Sequence, residues 1–518
     1  MRRRWIQVVL VAGVSAGLGE PLGCSSGSAP AVKPTATAES LRNPQACQMC
    51  HPSHYLDWAT SMHAYASDDP VFLAMNARGQ RETGGKLGTF CVKCHAPVAV
   101  LDGKTTNGLN LASLPAYEKS VTCFFCHSID SVGASHANGD VGVAGDLVIR
   151  GPLKDPPAQA NAFHASAYSS LLDSQQLDSA KMCGTCHDIV TPAGGHIERT
   201  FQEWSSSIFV PTPTCAFNGT CHMASSPTLV PIAPKGPLRT YHSHDFPGVD
   251  IAFDPAFPVT PAHQQATVES ALANTLQGAL CVNARGGVRV LLDDVGAGHA
   301  WPSGSAQDRR VWAEVVAYKN GSQFYASGQV QPGTPVGSDP NDTDLWVLRD
   351  QMFDAMNNPV DMFWNAACAA GNELQAVSGD RTMPSYTHRE RLYPNTKNAG
   401  DSVLSEMPDR VTLTVHMQPI GLDVLNDLVA THDLDPAVVA QMPTLTVALP
   451  NPVDGGVATS LEWTPAAATG GFTDSVQTPG VPMTCVSTVT FNVNAPTPRA
   501  EEVPVTCAGQ NATSDAGH

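Results

Sequence analysis

The pattern that most constrains this chain is Cys-x-x-Cys-His. It occurs four times between Cys47 and His187: Cys47–His51 (CQMCH), Cys91–His95 (CVKCH), Cys123–His127 (CFFCH) and Cys183–His187 (CGTCH). A fifth, stretched version follows at Cys215–His222 (CAFNGTCH), with five residues between its cysteines. Two thiols one helical turn apart can each add to a haem vinyl group, and the next residue's imidazole then points at the iron. This is the spacing of a c-type haem attachment site. Structural zinc would instead pair two Cys-x-x-Cys units around one metal, and a thioredoxin-like dithiol would need a βαβ context. Neither explains a histidine after the second cysteine every time. The four regular motifs therefore predict four covalent c-type haems. In the fifth, Asn218-Gly219 can make a tight turn, so the extra residues loop out and a fifth haem is expected. The alternative is a local Cys215–Cys221 disulfide with His222 free.

At 518 residues the chain exceeds one ordinary core, and two domains plus tails are expected. Charged residues make up 15%, against roughly 25% in an average soluble protein. Gly (43) and Pro (41) make the chain rich in turns. That composition suits a polypeptide wrapped around large apolar cofactors, where haems supply much of the core. The formal net charge of −18 argues against nucleic acid as a partner, because neutralising phosphates needs a basic face. It allows steering toward a basic redox partner, although acidity is also an ordinary surface state.

Residues 1–24 read as a signal peptide. Arg2, Arg3 and Arg4 precede an apolar run from Trp5 to Leu18, too short to span a bilayer. Leu22-Gly23-Cys24 resembles a bacterial lipoprotein cleavage site, with Cys24 as the acylated first residue and Pro21 where an aliphatic residue is usual. A plain secretory signal is the alternative. Both imply export, to the periplasm or outer membrane, with membrane contact only through an N-terminal lipid anchor at Cys24. Of the 15 cysteines, ten lie in the motifs and one is Cys24. Cys281, Cys368, Cys485 and Cys507 remain for two disulfides, with all three connectivities open.

Residues 25–42 form a small-residue linker. Residues 43–262 form the multihaem domain, mainly helical and irregular, with short helices at the motifs and long loops such as 130–157. Residues 263–507 are β-rich. Here the pattern predicts a helix over 265–280 and strands over 287–295, 310–319, 322–328, 349–356, 360–364, 410–417, 444–449 and 486–493. Asn320-Gly321 and Asn357-Asn358 mark hairpins. Helices are expected over 421–430 and 436–441, the latter capped by Asp435. Many short strands with turn signals argue a β-sandwich-like domain, and residues 508–518 read as a disordered tail. The fold class is therefore multidomain.

Attachment makes His51, His95, His127, His187 and His222 the proximal iron ligands. Sixth ligands come from elsewhere, and His54, His63, His136, His164, His196, His242, His244, His263 and His299 are available. Met62, Met182 and Met223 are weaker candidates. A haem with two strong ligands passes electrons, while one with an open position can react.

The stretch from Cys47 to Met75 resembles the opening of multihaem cytochromes related to the tetrahaem electron carrier and hydroxylamine oxidoreductase of nitrifying bacteria. It carries Tyr55, Trp58, Ser61 and His63 in that group's pattern after CxxCH. Residues 120–128 (SVTCFFCHS), 163–188 and Glu203-Trp204 with Cys221–Met223 resemble the group too, as does 241–248 (YHSHDFPG). The resemblance implies His63, His164 and His244 as sixth ligands. Gly298–Val311 resembles an element that follows the haem segment in this group, so His299 is either a ligand at the domain boundary or a histidine in a strand-turn element. The five-residue spacer departs from the group's pattern. The expected function is electron transfer between redox partner proteins outside the cytoplasm. The alternative is an oxidoreductase acting on a small nitrogen or sulfur compound at one open haem.

Overall fold

The structure is a computed structural model, and it describes residues 35–154, 163–217, 221–234, 236–253, 261–377, 388–450 and 457–487. The signal peptide, Cys24, Asn218-Gly219, Cys507 and the tail lie outside the described residues.

Short helices flank or contain the regular motifs. They are α1 (Pro44–Gln48), α2 (Pro52–Ala59), α3 (Pro70–Glu82), α4 (Val92–His95), α5 (Cys123–Ser128) and α6 (Leu177–Gly184). Local chemistry starts them. Asn43 caps α1 and Asp69 caps α3 through their side chains, each ahead of a proline at the first helical position. The described part of the stretch 130–157, residues 130–154, is not the open loop expected there. It holds short strands, with Ile129–Val132 paired to Val141–Val143 and Val148–Gly151 paired to Ala165–Tyr168. Among the described residues of the fifth motif there is no helix, and Cys215 lies in a turn.

An antiparallel pair, β1 (Ser225–Pro231) and β2 (Leu238–His242), follows the motifs. Beyond it, α7 (Pro261–Leu272) ends well before residue 280, where the pattern predicts its end, and 276–283 is strand β3. This strand joins β4 (Val288–Asp294) in one antiparallel sheet with His388–Tyr393, Thr469–Thr473 and Pro482–Ser487. A second antiparallel sheet is built on β5 (Arg310–Lys319), its hairpin partner β6 (Ser322–Ser327), and the strand Arg410–Gln418. Asn320 (φ 50°) and Gly321 (φ 79°) turn that hairpin through the left-handed region, as the Asn-Gly signal requires. The second predicted hairpin is shorter than expected. Asp350–Phe353 pairs only with Pro359–Val360 across that turn, and Phe363–Asn365 is a 3-10 turn.

Inward side chains of both sheets share one apolar cluster, including Leu280, Val290, Val311, Val315, Leu413 and Trp463. Helix α8 (Leu422–Ala430) closes it with Leu425 and Leu428. Cys281 and Cys485 form a disulfide across paired strands, which excludes a Cys281–Cys368 pairing; Cys368 is also disulfide-bonded.

The haem segment is not a separate bead. Helix α3 sends Val71 and Ala74 into the core of the sheets, while its Phe72 packs with Val92, Ala96, Ala99 and Leu111 beside the second motif. Arg78 of α3 pairs with Asp427 of α8 at 2.5 Å, and the Trp364 indole donates to Glu82 at 3.0 Å. Among the described residues no helix is long and apolar enough to cross a membrane.

Candidate haem-binding site

Chain closure at each motif is set by the backbone. The amide of His51 donates to the Cys47 carbonyl (2.7 Å), that of His95 to Cys91 (3.3 Å) and that of His187 to Cys183 (3.1 Å). In the stretched motif the amide of His222 donates to the Cys215 carbonyl at 3.1 Å. The extra spacer residues therefore leave the same closure in place.

The imidazoles are prepared as ligands. Nδ1 of His51 bonds the carbonyl of Ile232 (2.9 Å), His95 that of Ala66 (2.9 Å), His127 that of Arg150 (2.5 Å) and His222 that of Pro247 (2.7 Å). His164, His244 and His299 do the same with Ala165 (3.0 Å), His242 (2.9 Å) and Ala300 (2.8 Å). A carbonyl can only accept, so Nδ1 carries the proton and Nε2 keeps its lone pair for a metal. Burial acts in the same direction. It lowers His63 to about 3 and His299 to about 4, so both rings stay neutral.

Three pairs of these rings face one another. The centroid separations are 6.2 Å for His63 and His187, 6.5 Å for His127 and His244, and 6.4 Å for His222 and His299. The last two pairs are within 12° of parallel. Two imidazoles on opposite faces of one iron, each nitrogen about 2 Å from it, have centroids roughly 6–6.5 Å apart. His164 lies near enough to His51 to lower its proton affinity further after burial. His95 has a different neighbour: its ring stacks on Phe72 at 4.0 Å, 5° from parallel.

The thiols group across motifs. Cys47 lies in hydrogen-bonding reach of Cys123, Cys94 of Cys186, and Cys183 of Cys215. Burial pushes Cys91 and Cys126 up to about 12, so thiolates are disfavoured there. Thioether bonds to a haem carry no charge and fit such surroundings. Paired neutral imidazoles, buried thiols beside them and lone pairs aimed inward are the donor set of haem c.

Two comparisons bear on this arrangement. Residues 46–128 match the family model of cytochrome c554 and c-prime. The chain also shares its fold with the penta-haem cytochrome c552 of Thermochromatium tepidum, at a TM-score of 0.53 and 18% identity over 82% of this chain and 99% of that one. Both likenesses are to c-type cytochromes, the second a multihaem one, and the donor set above fits that class. No curated protein matches it significantly.

The remaining candidate histidines divide by environment. His196 is exposed in a short strand. His136 packs edge-on to Phe201 at 5.6 Å. His263 lines a cleft of about 60 Å³ with Asp245, Asp250 and Gln264. His54 stands between His51 (5.8 Å) and His244 (4.9 Å), both edge-on. The sequence did not reveal the carbonyls that orient the rings, nor Phe72 and Phe246, the latter 4.6 Å from His63. Backbone carbonyls carry no sequence signal. Glu203, whose side chain accepts from Ser303 at 2.6 Å near the His299 segment, is pushed up to about 7 by burial.

Proposed function

We propose that this protein is an electron-transfer multihaem c-type cytochrome with five covalent haems, exported to the periplasm or outer membrane and tethered there through Cys24. Cys47 and Cys50, Cys91 and Cys94, Cys123 and Cys126, Cys183 and Cys186, and Cys215 and Cys221 attach the haems. When bound, each haem iron accepts and returns a single electron. The chain's residues hold and orient that iron, keep water from it and set its potential.

The observation that carries this reading is the set of three histidine pairs with ring centroids 6.2–6.5 Å apart, each joining a motif histidine to one from elsewhere. His63 serves the haem of His187, His244 that of His127, and His299 that of His222, while His164 serves the haem of His51. The fold thus uses its sheet region to complete the fifth haem. Contacts between thiols order the array as first, third, fourth and fifth haem, with the second beside the fourth. Of the ten motif cysteines only Cys50 is exposed, so redox partner proteins exchange electrons at the first haem. EPR with haem quantification on one sample tests the reading: at least four low-spin irons per chain support it, and mostly high-spin iron refutes it.

The stacking of Phe72 on His95 favours a second reading. With no histidine facing His95 among the ring pairs of the described residues, the second haem keeps one iron position for a small nitrogen or sulfur compound, and the protein acts as an oxidoreductase. A high-spin signal abolished by cyanide or nitrite selects this reading; a spectrum indifferent to both excludes it.

A further inference from the structure

The stretch after β2 that carries His244 is coil, yet a sixth ligand must be held in place. The Nδ1 bond to the His242 carbonyl fixes the ring against its own backbone. It does not fix that backbone against the third motif. The contacts that do come from α2, the helix that begins directly after the first motif.

Asp57 of α2 presents one oxygen, Oδ2, to two donors, one from that stretch and one from the end of β2: the backbone amide of His244 (3.1 Å) and the hydroxyl of Tyr241. His54, one turn earlier on the same helix face, lays its ring against Tyr241 (4.6 Å) and edge-on to His244 (4.9 Å). A carboxylate accepting two hydrogen bonds is a stronger tie than a neutral acceptor. From these contacts we infer that Asp57 is a positioning residue for the third haem, clamping His244 over His127 from the helix of the first motif. The inference rests on the proposed pairing of His127 with His244. It also gives α2 a role beyond its own haem. The thiols of Cys47 and Cys123 adjoin, so α2 sits at the junction of the first and third haems and ties the ligand of one to the attachment of the other.

The test uses the full-length, haem-loaded protein, with EPR, haem content and a redox titration on each variant. His244→Ala turns one low-spin haem high-spin and opens it to cyanide. Asp57→Ala turns most of that same haem high-spin with haem content unchanged, and lowers its share of the low-spin signal. Asp57→Asn keeps an acceptor oxygen and restores the low-spin spectrum. Tyr241→Phe removes one donor and shifts the potential of that one haem without opening it. If His244→Ala leaves every iron as in the unaltered protein, the ligand pairing fails and the clamp with it. If His244→Ala opens a haem while Asp57→Ala and Tyr241→Phe leave spectrum and potentials unchanged, the pairing stands and the clamp is overturned. Should Asp57→Ala not accumulate, Tyr241→Phe alone decides, and unchanged potentials overturn the clamp.

Discussion

The two halves of this protein make their interiors in different ways. From residue 276 onward, strands from two sheets bury leucine, valine and tryptophan in one continuous cluster. In the haem segment the buried apolar side chains fall into small, separate groups, such as Phe72 with Val92, Ala96, Ala99 and Leu111, or Val98 with Phe125, Ile129 and Leu171. Between those groups lie thiols and paired imidazoles. One interior is made by the chain; the other is completed by its cofactors. Stability in the first half should therefore follow haem attachment, and in the second half ordinary packing.

The largest effect that could break this contrast comes from removing the fourth motif's thiols, Cys183→Ser with Cys186→Ser. Both adjoin thiols of other motifs, Cys215 and Cys94. The haem segment should lose protease resistance while the sheet region keeps its own. Limited proteolysis read with haem staining checks this; a resistant haem segment would break the contrast. Next is Glu390→Gln in the sheet region. Arg289 and Glu390 pair at 2.5 Å with both side chains fully buried, and removing one partner of such a pair costs about 3–5 kcal/mol. Urea unfolding should show that loss with haem content unchanged.

A smaller effect sharpens where the halves meet. A side chain on Gly79 of α3 would lie 2.6 Å from Leu87 and 3.1 Å from the Trp364 ring. Gly79→Leu should cost about 1–3 kcal/mol through overpacking. Because α3 serves both interiors, haem absorbance and circular dichroism should lose stability at one shared midpoint. The last effect is one of pH. Burial pushes Asp308 up to about 7, so the folded chain holds that proton more tightly than the unfolded one. Its contribution to stability falls as pH rises from about 4 to about 7. Asp308→Asn should gain on the unaltered protein across that window and run parallel to it outside; melts at several pH values check this.

Much of this organisation can be read from the residues, and the gaps have physical causes. The motifs declare the attachment sites because covalent chemistry demands a fixed spacing. Strand β5 and the Asn320-Gly321 turn are plain because one face alternates and the turn needs left-handed backbone. Strand β3 is hidden. Its residues are buried on both faces, against the common core and against the Cys281–Cys485 group, so no alternation survives and it reads as a continuation of α7. The boundary near residue 262 does not divide the interiors, since α3 belongs to both and its divided faces are invisible without the partner. Pairing of sixth ligands is likewise tertiary. His299 lies far beyond His222 in the chain and faces it at 6.4 Å.

In the stretched motif the His222 amide still closes on the Cys215 carbonyl, and His299 stands opposite. Counting covalent haems per polypeptide by intact mass, in the unaltered protein and in Cys215→Ser with Cys221→Ser, tests the five-haem reading most directly. The account predicts five haems falling to four. Four haems in both proteins would contradict it.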